Sequence, residues 1–113
     1  MIHQGDVAWV ELPPSFDSSP GYRRPAVIVQ GDRFNRSRIS TAVCVLLTSN
    51  LSRADAPGNV LLRAQETSLP RDSVATASQI LTLDRSRLSA PIGRLPPESL
   101  RDILRGIGLV LDR

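Results

Sequence analysis

The sequence predicts a small, strongly bent, barrel-like β-sheet capped by one C-terminal helix, an α+β arrangement in a single domain over residues 1–113. Three observations carry that expectation. Short apolar runs alternate with turn-rich segments along most of the chain. A helical hydrophobic stripe comes only at the end, after Pro97. The length, 113 residues with 41% apolar and 22% charged, suits one core and leaves no room for two.

The elements follow in order. Residues 5–12 alternate, setting Val7 and Trp9 on one face and Ala8, Val10 and Leu12 on the other, so both faces of this first strand should be covered. It stops at Pro13-Pro14. Residues 13–23 then make an eleven-residue loop with three prolines, three serines and the aromatics Phe16 and Tyr22, a length at which loops commonly carry function. Residues 26–30 read as a second strand and 41–48 as a buried third. In the third, Val43, Val45 and Leu47 share one face, and Cys44, Leu46 and Thr48 the other. A strand over 59–63 follows the Pro57-Gly58 turn, and 72–83 reads as one bent strand or two. In a last strand over 88–95, Pro91 removes a ladder donor, which calls for a sheet edge or a bulge. Pro97 and Glu98 then open a helix whose stripe is Leu100, Ile103, Leu104, Ile107, Val110 and Leu111. Gly106 and Gly108 each cost a helix about 1 kcal/mol relative to alanine, so packing on the sheet must hold this one together.

Composition excludes several chemistries. The longest uncharged apolar stretch, 41–47, is far short of the roughly 18 residues of a spanning helix, and no signal-peptide pattern opens the chain; a soluble, cytoplasmic protein without membrane association is expected. One cysteine, Cys44, and one histidine, His3, give no internal disulfide, no Cys/His zinc site and no two-histidine acid/base pair. Cys44 reads as a small core residue and His3 as an exposed residue without a role. The eleven carboxylates are scattered, so neither a metal nor another cofactor is expected. All fourteen basic residues are arginine. The planar guanidinium suits RNA phosphates and bases or an acidic protein, although compositional bias explains the same count.

Two short stretches remain. Tyr22-Arg23-Arg24-Pro25 ends the long loop, with Arg24 biased to an extended backbone by the proline after it, and Thr48-Ser49-Asn50 ends the buried strand. Both supply anion-binding donors. On the residues alone, a solvated surface arginine is the better account of Arg24, and Thr48 reads equally as a strand-capping hydroxyl.

Set in order, Gly5-Asp6-Val7-Ala8-Trp9, Leu12 and Pro14, Arg24-Pro25-Ala26-Val27-Ile28-Val29, and Leu47-Thr48-Ser49-Asn50 resemble the MazF/PemK family of toxin endoribonucleases of type II toxin–antitoxin systems. Asp72-Ser73-Val74-Ala75, Gln79-Ile80 and Ile92-Gly93 with the terminal helix extend the likeness over nearly the whole chain. The resemblance implies a homodimer of SH3-like barrels that cuts single-stranded RNA without a metal and is neutralised by an acidic antitoxin, with which such toxins bind DNA. It carries over Arg24 as the catalytic arginine and Thr48 as the active-site threonine. The reaction it implies is attack of the ribose 2′-hydroxyl on the adjacent phosphorus, leaving a 2′,3′-cyclic phosphate and a 5′-hydroxyl. Arginine is a poor base, with a pKa above about 12.

The chain departs from the family pattern at Ser19, where a loop glutamate is common, which leaves Asp17 as the candidate proton acceptor. It also departs at Ser78, Leu81 and Leu46. Phe16 and Tyr22 are candidates to stack unpaired bases, with anchoring of their own loop as the alternative, and Asn50 and Arg53 to read base edges, with Arg23, Pro25, Ser49 and Gln79 as further candidate RNA contacts. Asn35 and Arg36 are weaker candidates, equally suited to capping a turn. Two other readings stand beside the nuclease: a toxin of the same barrel type that docks on DNA gyrase, and a nuclease-dead RNA-binding module.

Overall fold

The computed structural model describes residues 1–13 and 22–113. Within them, β1 (Asp6–Glu11), β2 (Arg23–Ile28), β3 (Thr41–Thr48), β4 (Val60–Leu62), β5 (Ser73–Asp84) and β6 (Gly93–Arg94) form one antiparallel sheet in the order β4-β5-β3-β2-β1-β6. The sheet curls into a half-barrel, as the α+β expectation requires. Helices α1 (Asp32–Asn35) and α2 (Ala64–Thr67) are single turns, and α3 (Pro97–Val110) is the long terminal helix.

Alternation along the central strands feeds two cores. One gathers Val7, Val27, Val45, Leu47 and Leu62 with Ile103 of α3, and Trp9 packs against it. The other gathers Val10, Leu12, Ala26, Ile28, Cys44 and Leu46, joined by Tyr22 and Leu81. The expected division of β1 and β3 between two covered faces therefore holds. Burial pushes the Cys44 thiol up to about 12, so it stays protonated and inert. His3 is only half-exposed; its backbone N–H donates to the buried Asp6 carboxylate at 2.8 Å, which Arg94 Nε also reaches at 3.1 Å.

The two sheet edges are bridged by α2. Gly93 of β6 passes so close that a Cβ there would lie 2.7 Å from Ser68 Oγ and 3.0 Å from the Thr67 carbonyl oxygen. Asp72 caps α2, accepting from Ala64 N–H at 2.8 Å and Arg63 Nη1 at 3.1 Å, and these donors hold its carboxyl below the usual range. Glu66 accepts from Arg63 N–H at 2.8 Å and from the Ser99 hydroxyl of α3.

Several boundaries differ from the sequence reading. β2 starts at Arg23 and ends at Ile28, because Arg23 and Arg24 pair with Glu11 and Val10 before the proline is reached. The segment expected as a strand over 88–95 keeps only Gly93–Arg94 and a single bridge from Leu88 to Val10. Pro91 has no donor, and the backbone bulges around it while Ser89 and Ile92 still donate to Trp9 and Val7 at 2.8 Å each. The 59–63 strand shortens to Val60–Leu62, and 72–83 is a single strand, Ser73–Asp84. Along α3, Ile103 is fully buried, worth about 1.5–3 kcal/mol, whereas Leu104, Val110 and Leu111 are exposed. Gly106 is the reason: it carries the helix so near Gly58 that the contact face centres on Ile103, Gly106 and Ile107.

Candidate active site

A cleft of about 480 Å³ crosses the ends of β1, β2, β3 and β5. Its floor is built from backbone features of three strands. Pro25 stands opposite Trp9 in the β1–β2 register, and the β2–β3 pairing ends at Ala26–Leu46. Beyond that point the two strands part, and the Arg24 side chain enters the fork, where Nη2 donates to the Leu47 carbonyl at 2.9 Å. That bond uses one of the five guanidinium N–H groups and leaves the others for an anion.

The opposite wall arises from an irregularity in β5. Val45 pairs with Ile80 but Leu47 pairs with Ala75, so Thr76 to Gln79 stand against the single residue Leu46. The Thr76 hydroxyl lies 2.7 Å from the Leu46 carbonyl oxygen and 2.9 Å from Gln79 Oε1, and its one proton serves both acceptors. Gln79 is thereby tethered beside the cleft with its amide N–H groups available. At the end of β3, Thr48 Oγ1 accepts the Asn50 backbone N–H at 3.2 Å, so the hydroxyl proton remains available for donation. Asn50 Oδ1 is consumed in capping the 3-10 turn Leu51–Asp55, accepting from Ser52 N–H at 3.2 Å and Ser52 Oγ at 2.7 Å. Only its amide N–H groups are left to face a ligand.

Arg53 reaches the cleft from that turn. Its carbonyl accepts from Asn59 Nδ2 at 2.9 Å, and Asn59 Oδ1 accepts the Ala77 N–H at 2.9 Å. One side chain thus ties the Arg53 turn to the irregular stretch of β5. Arg71, just before β5, lines the cleft as well. Among the described residues none of Arg24, Arg53 and Arg71 is in an ion pair, and no Asp, Glu or His lines the cleft. Three cations and a ring of hydroxyl and amide donors, with no opposing charge among the described residues, suit an anion.

Of the residues singled out in the sequence, Tyr22, Arg24, Pro25, Thr48, Ser49, Asn50, Arg53 and Gln79 come together here. Phe16, Asp17 and Ser19 lie outside the described residues. Arg23 does not line the cleft; its guanidinium sits 5.2 Å from the centre of the Trp9 ring, an exposed cation–π contact. Leu81 packs in the second core and Ser78 is exposed outside the cleft, so neither serves it. Asn35 is structural: it is buried, donates to Gln30 O at 2.9 Å and Asp32 Oδ1 at 3.1 Å, and accepts from Gln30 Nε2 at 2.9 Å. The sequence reading missed Trp9, Arg71, Ser73 and Thr76 as lining residues. The Pro70-Arg71 turn and the polar interruption of an apolar strand at Thr76 are the signals that mark Arg71 and Thr76.

Residues 3–111 match the family described as PemK-like, MazF-like toxin of type II toxin–antitoxin system. The endoribonuclease MazF2 of Mycobacterium bovis is 38% identical over 112 residues, 99% of this chain and 98% of that protein. The endoribonuclease MazF of Staphylococcus saprophyticus is 31% identical over 111 residues, 98% of this chain and 92% of that protein. Among solved structures, MazF of Deinococcus radiodurans superposes with a TM-score of 0.79 at 23% identity, covering 99% and 97% of the two chains. A mycobacterial endoribonuclease in complex with its cognate antitoxin gives 0.73 at 22% identity, covering 98% and 93%. The half-barrel, the anion-binding cleft on its strand ends and a match over nearly its whole length agree: the chain belongs to the PemK-like, MazF-like toxin family of type II toxin–antitoxin systems, as an endoribonuclease.

Proposed function

We propose that the cleft binds single-stranded RNA, with sequence preference, and cuts it without a metal by internal attack of a 2′-hydroxyl. The observation that carries this is the meeting of Arg24 and Thr48 in a cleft whose described lining holds three arginines and no carboxylate. RNA brings its own nucleophile, so the protein has to splay the strand, align attacking and leaving oxygens, and place fixed donors on the charge that builds at phosphorus. Arg24, held by Leu47, stabilises that charge and stands ready to protonate the 5′-leaving oxygen; Thr48 and Ser49 donate to the same phosphate. The bonds balance: O2′–P forms, P–O5′ breaks, and the products are a 2′,3′-cyclic phosphate and a 5′-hydroxyl. Asp17 is the candidate acceptor of the 2′-hydroxyl proton. A donor set of guanidinium, hydroxyl and amide groups suits a phosphate rather than a divalent cation, which supports the metal-free route.

In this reading residues 1–113 act as one toxin domain in the cytoplasm, as a homodimer. The exposed apolar end of α3, with Leu109, Val110 and Leu111, supports association between copies. An acidic antitoxin segment would occupy the same arginine-lined cleft, in keeping with the antitoxin complexes of the mycobacterial and Deinococcus neighbours.

The test is cleavage of a long single-stranded RNA in excess chelator, with the ends mapped. Ends bearing 5′-hydroxyls are expected, together with resistance of a substrate carrying 2′-deoxyribose at the cut nucleotide. Cleavage that stops with chelator, or 5′-phosphate ends, would overturn the mechanism. Arg53 and Arg71 have a separable role in gripping flanking phosphates. Replacing both with alanine should raise KM about tenfold with a smaller change in kcat, and reduce the slope of log KM against log salt by about 1.4, the value for two single-strand phosphate contacts.

A further inference from the structure

The parity of the β-ladder gives Pro25 a task of its own. Leu12 N–H donates to the Tyr22 carbonyl at 2.9 Å, and Val10 pairs with Arg24, so the even-numbered residues of β2 direct their backbone groups at β1. The odd-numbered ones face β3, as the Val29 N–H bond to the Val43 carbonyl at 3.0 Å demonstrates. Extending the Ala26–Leu46 and Val27–Val45 register by one step sets Pro25 opposite Leu47. In a regular ladder the N–H of residue 25 would fill the Leu47 carbonyl. Proline has none, and the Arg24 guanidinium takes that acceptor at 2.9 Å.

We propose that Pro25 is a positioning residue for the reaction: by withholding a backbone donor it vacates the Leu47 carbonyl, which then anchors Arg24 with its remaining N–H groups toward the cleft. This inference rests on the reading that Arg24 grips the scissile phosphate. The two residues form one device, the proline making the socket that the preceding arginine fills. An amide at position 25 would compete for Leu47 from a fixed backbone site, whereas a long side chain has to give up rotamer freedom to hold the same acceptor. The anchored rotamer would lose population, and phosphate stabilisation with it.

Two variants that differ only in that donor provide the test. Pro25→Ala restores the N–H; the α-hydroxy analogue of alanine at position 25 replaces it with an ester oxygen. The ester is placed by ligating a synthetic segment 1–43 to a segment beginning at the native Cys44. Single-turnover cleavage by Pro25→Ala should fall about 10- to 100-fold with KM little changed, and the ester should recover to within about threefold of the native rate. Thermal stability should run the other way, with Pro25→Ala at least as stable as the ester, a crossing that a purely structural proline would not give. Full activity of Pro25→Ala, or an ester as slow as it, would overturn the inference. If Arg24→Ala cleaves like the native chain, the underlying reading of Arg24 fails. If Arg24→Ala is inactive and Pro25→Ala fully active, only the role of Pro25 fails.

Discussion

Arg24→Ala is expected to lower kcat for RNA cleavage about 10³- to 10⁴-fold, read in single-turnover assays with end-labelled RNA. One preorganised donor aimed at developing charge is worth about 10²- to 10³-fold, and an arginine on a transferring phosphoryl group about 10³- to 10⁵-fold. Arg24 combines both roles, since its one side-chain bond among the described residues, to Leu47, leaves several N–H groups for one phosphate. The fold has little to lose. That single hydrogen bond contributes about 1 kcal/mol, equivalent to about 4 °C in melting temperature for a chain of this length. KM should rise only a few-fold, because Arg53 and Arg71 still attract the backbone of the strand. Arg24→Lys should recover little: an ammonium bonded to the Leu47 carbonyl has no planar fork with which to hold a phosphate as well. A variant within tenfold of the native rate would remove Arg24 from the chemistry.

What the sequence made legible, and what it hid, follows from the range of the interactions involved. β3 was readable to its ends because residues 41–48 are an apolar, β-branched run closed by Thr48-Ser49-Asn50, and a strand buried on both faces needs nothing else to declare itself. The start of α3 was readable from Pro97, whose fixed φ suits a first helical turn. Cys44 in the core followed from its neighbours in β3. The cleft was half legible. Arg24 and Thr48 could be picked out, but their meeting depends on the end of a ladder between β2 and β3, and no local pattern announces where pairing stops. Of the opposite wall only Gln79 was picked out, and there through the family resemblance. Thr76 and Gln79 are brought to the cleft by a register shift against Leu46, a relation between strands distant in sequence, and Arg71 looks like any solvated turn residue until the fold sets it on the rim. Gly106 reads as a local cost to a helix, whereas its purpose lies across the molecule at Gly58.

That purpose yields an expected reversal between two glycines of the same helix. A Cβ at Gly106 would lie 2.0 Å from the Gly58 carbonyl oxygen and 2.9 Å from its carbonyl carbon, contacts with rigid backbone that no rotamer can relieve. Gly58 cannot retreat easily, because its φ of 85° is a left-handed turn conformation and it leads directly into Asn59. Alanine at 106 gains about 1 kcal/mol of helix propensity but forces α3 off the sheet, for an expected net loss of about 2–4 kcal/mol. In a chain of this length that lowers the melting temperature by roughly 8–17 °C. At Gly108 the nearest atom to a Cβ is Arg113 Cβ at 3.9 Å, so Gly108→Ala has room and should keep most of the propensity gain, raising the melting temperature by about 2–4 °C. The two measurements separate close packing from helix propensity, since propensity alone predicts stabilisation at both sites. Displacement at Gly106 should also reach the cleft, because Asn59 holds the Arg53 carbonyl and the Ala77 N–H at 2.9 Å each. Gly106→Ala should therefore raise KM several-fold at temperatures where it is still folded, while Gly108→Ala leaves KM unchanged. A Gly106→Ala chain as stable as the native one would mean that α3 is not held against the Gly58 turn.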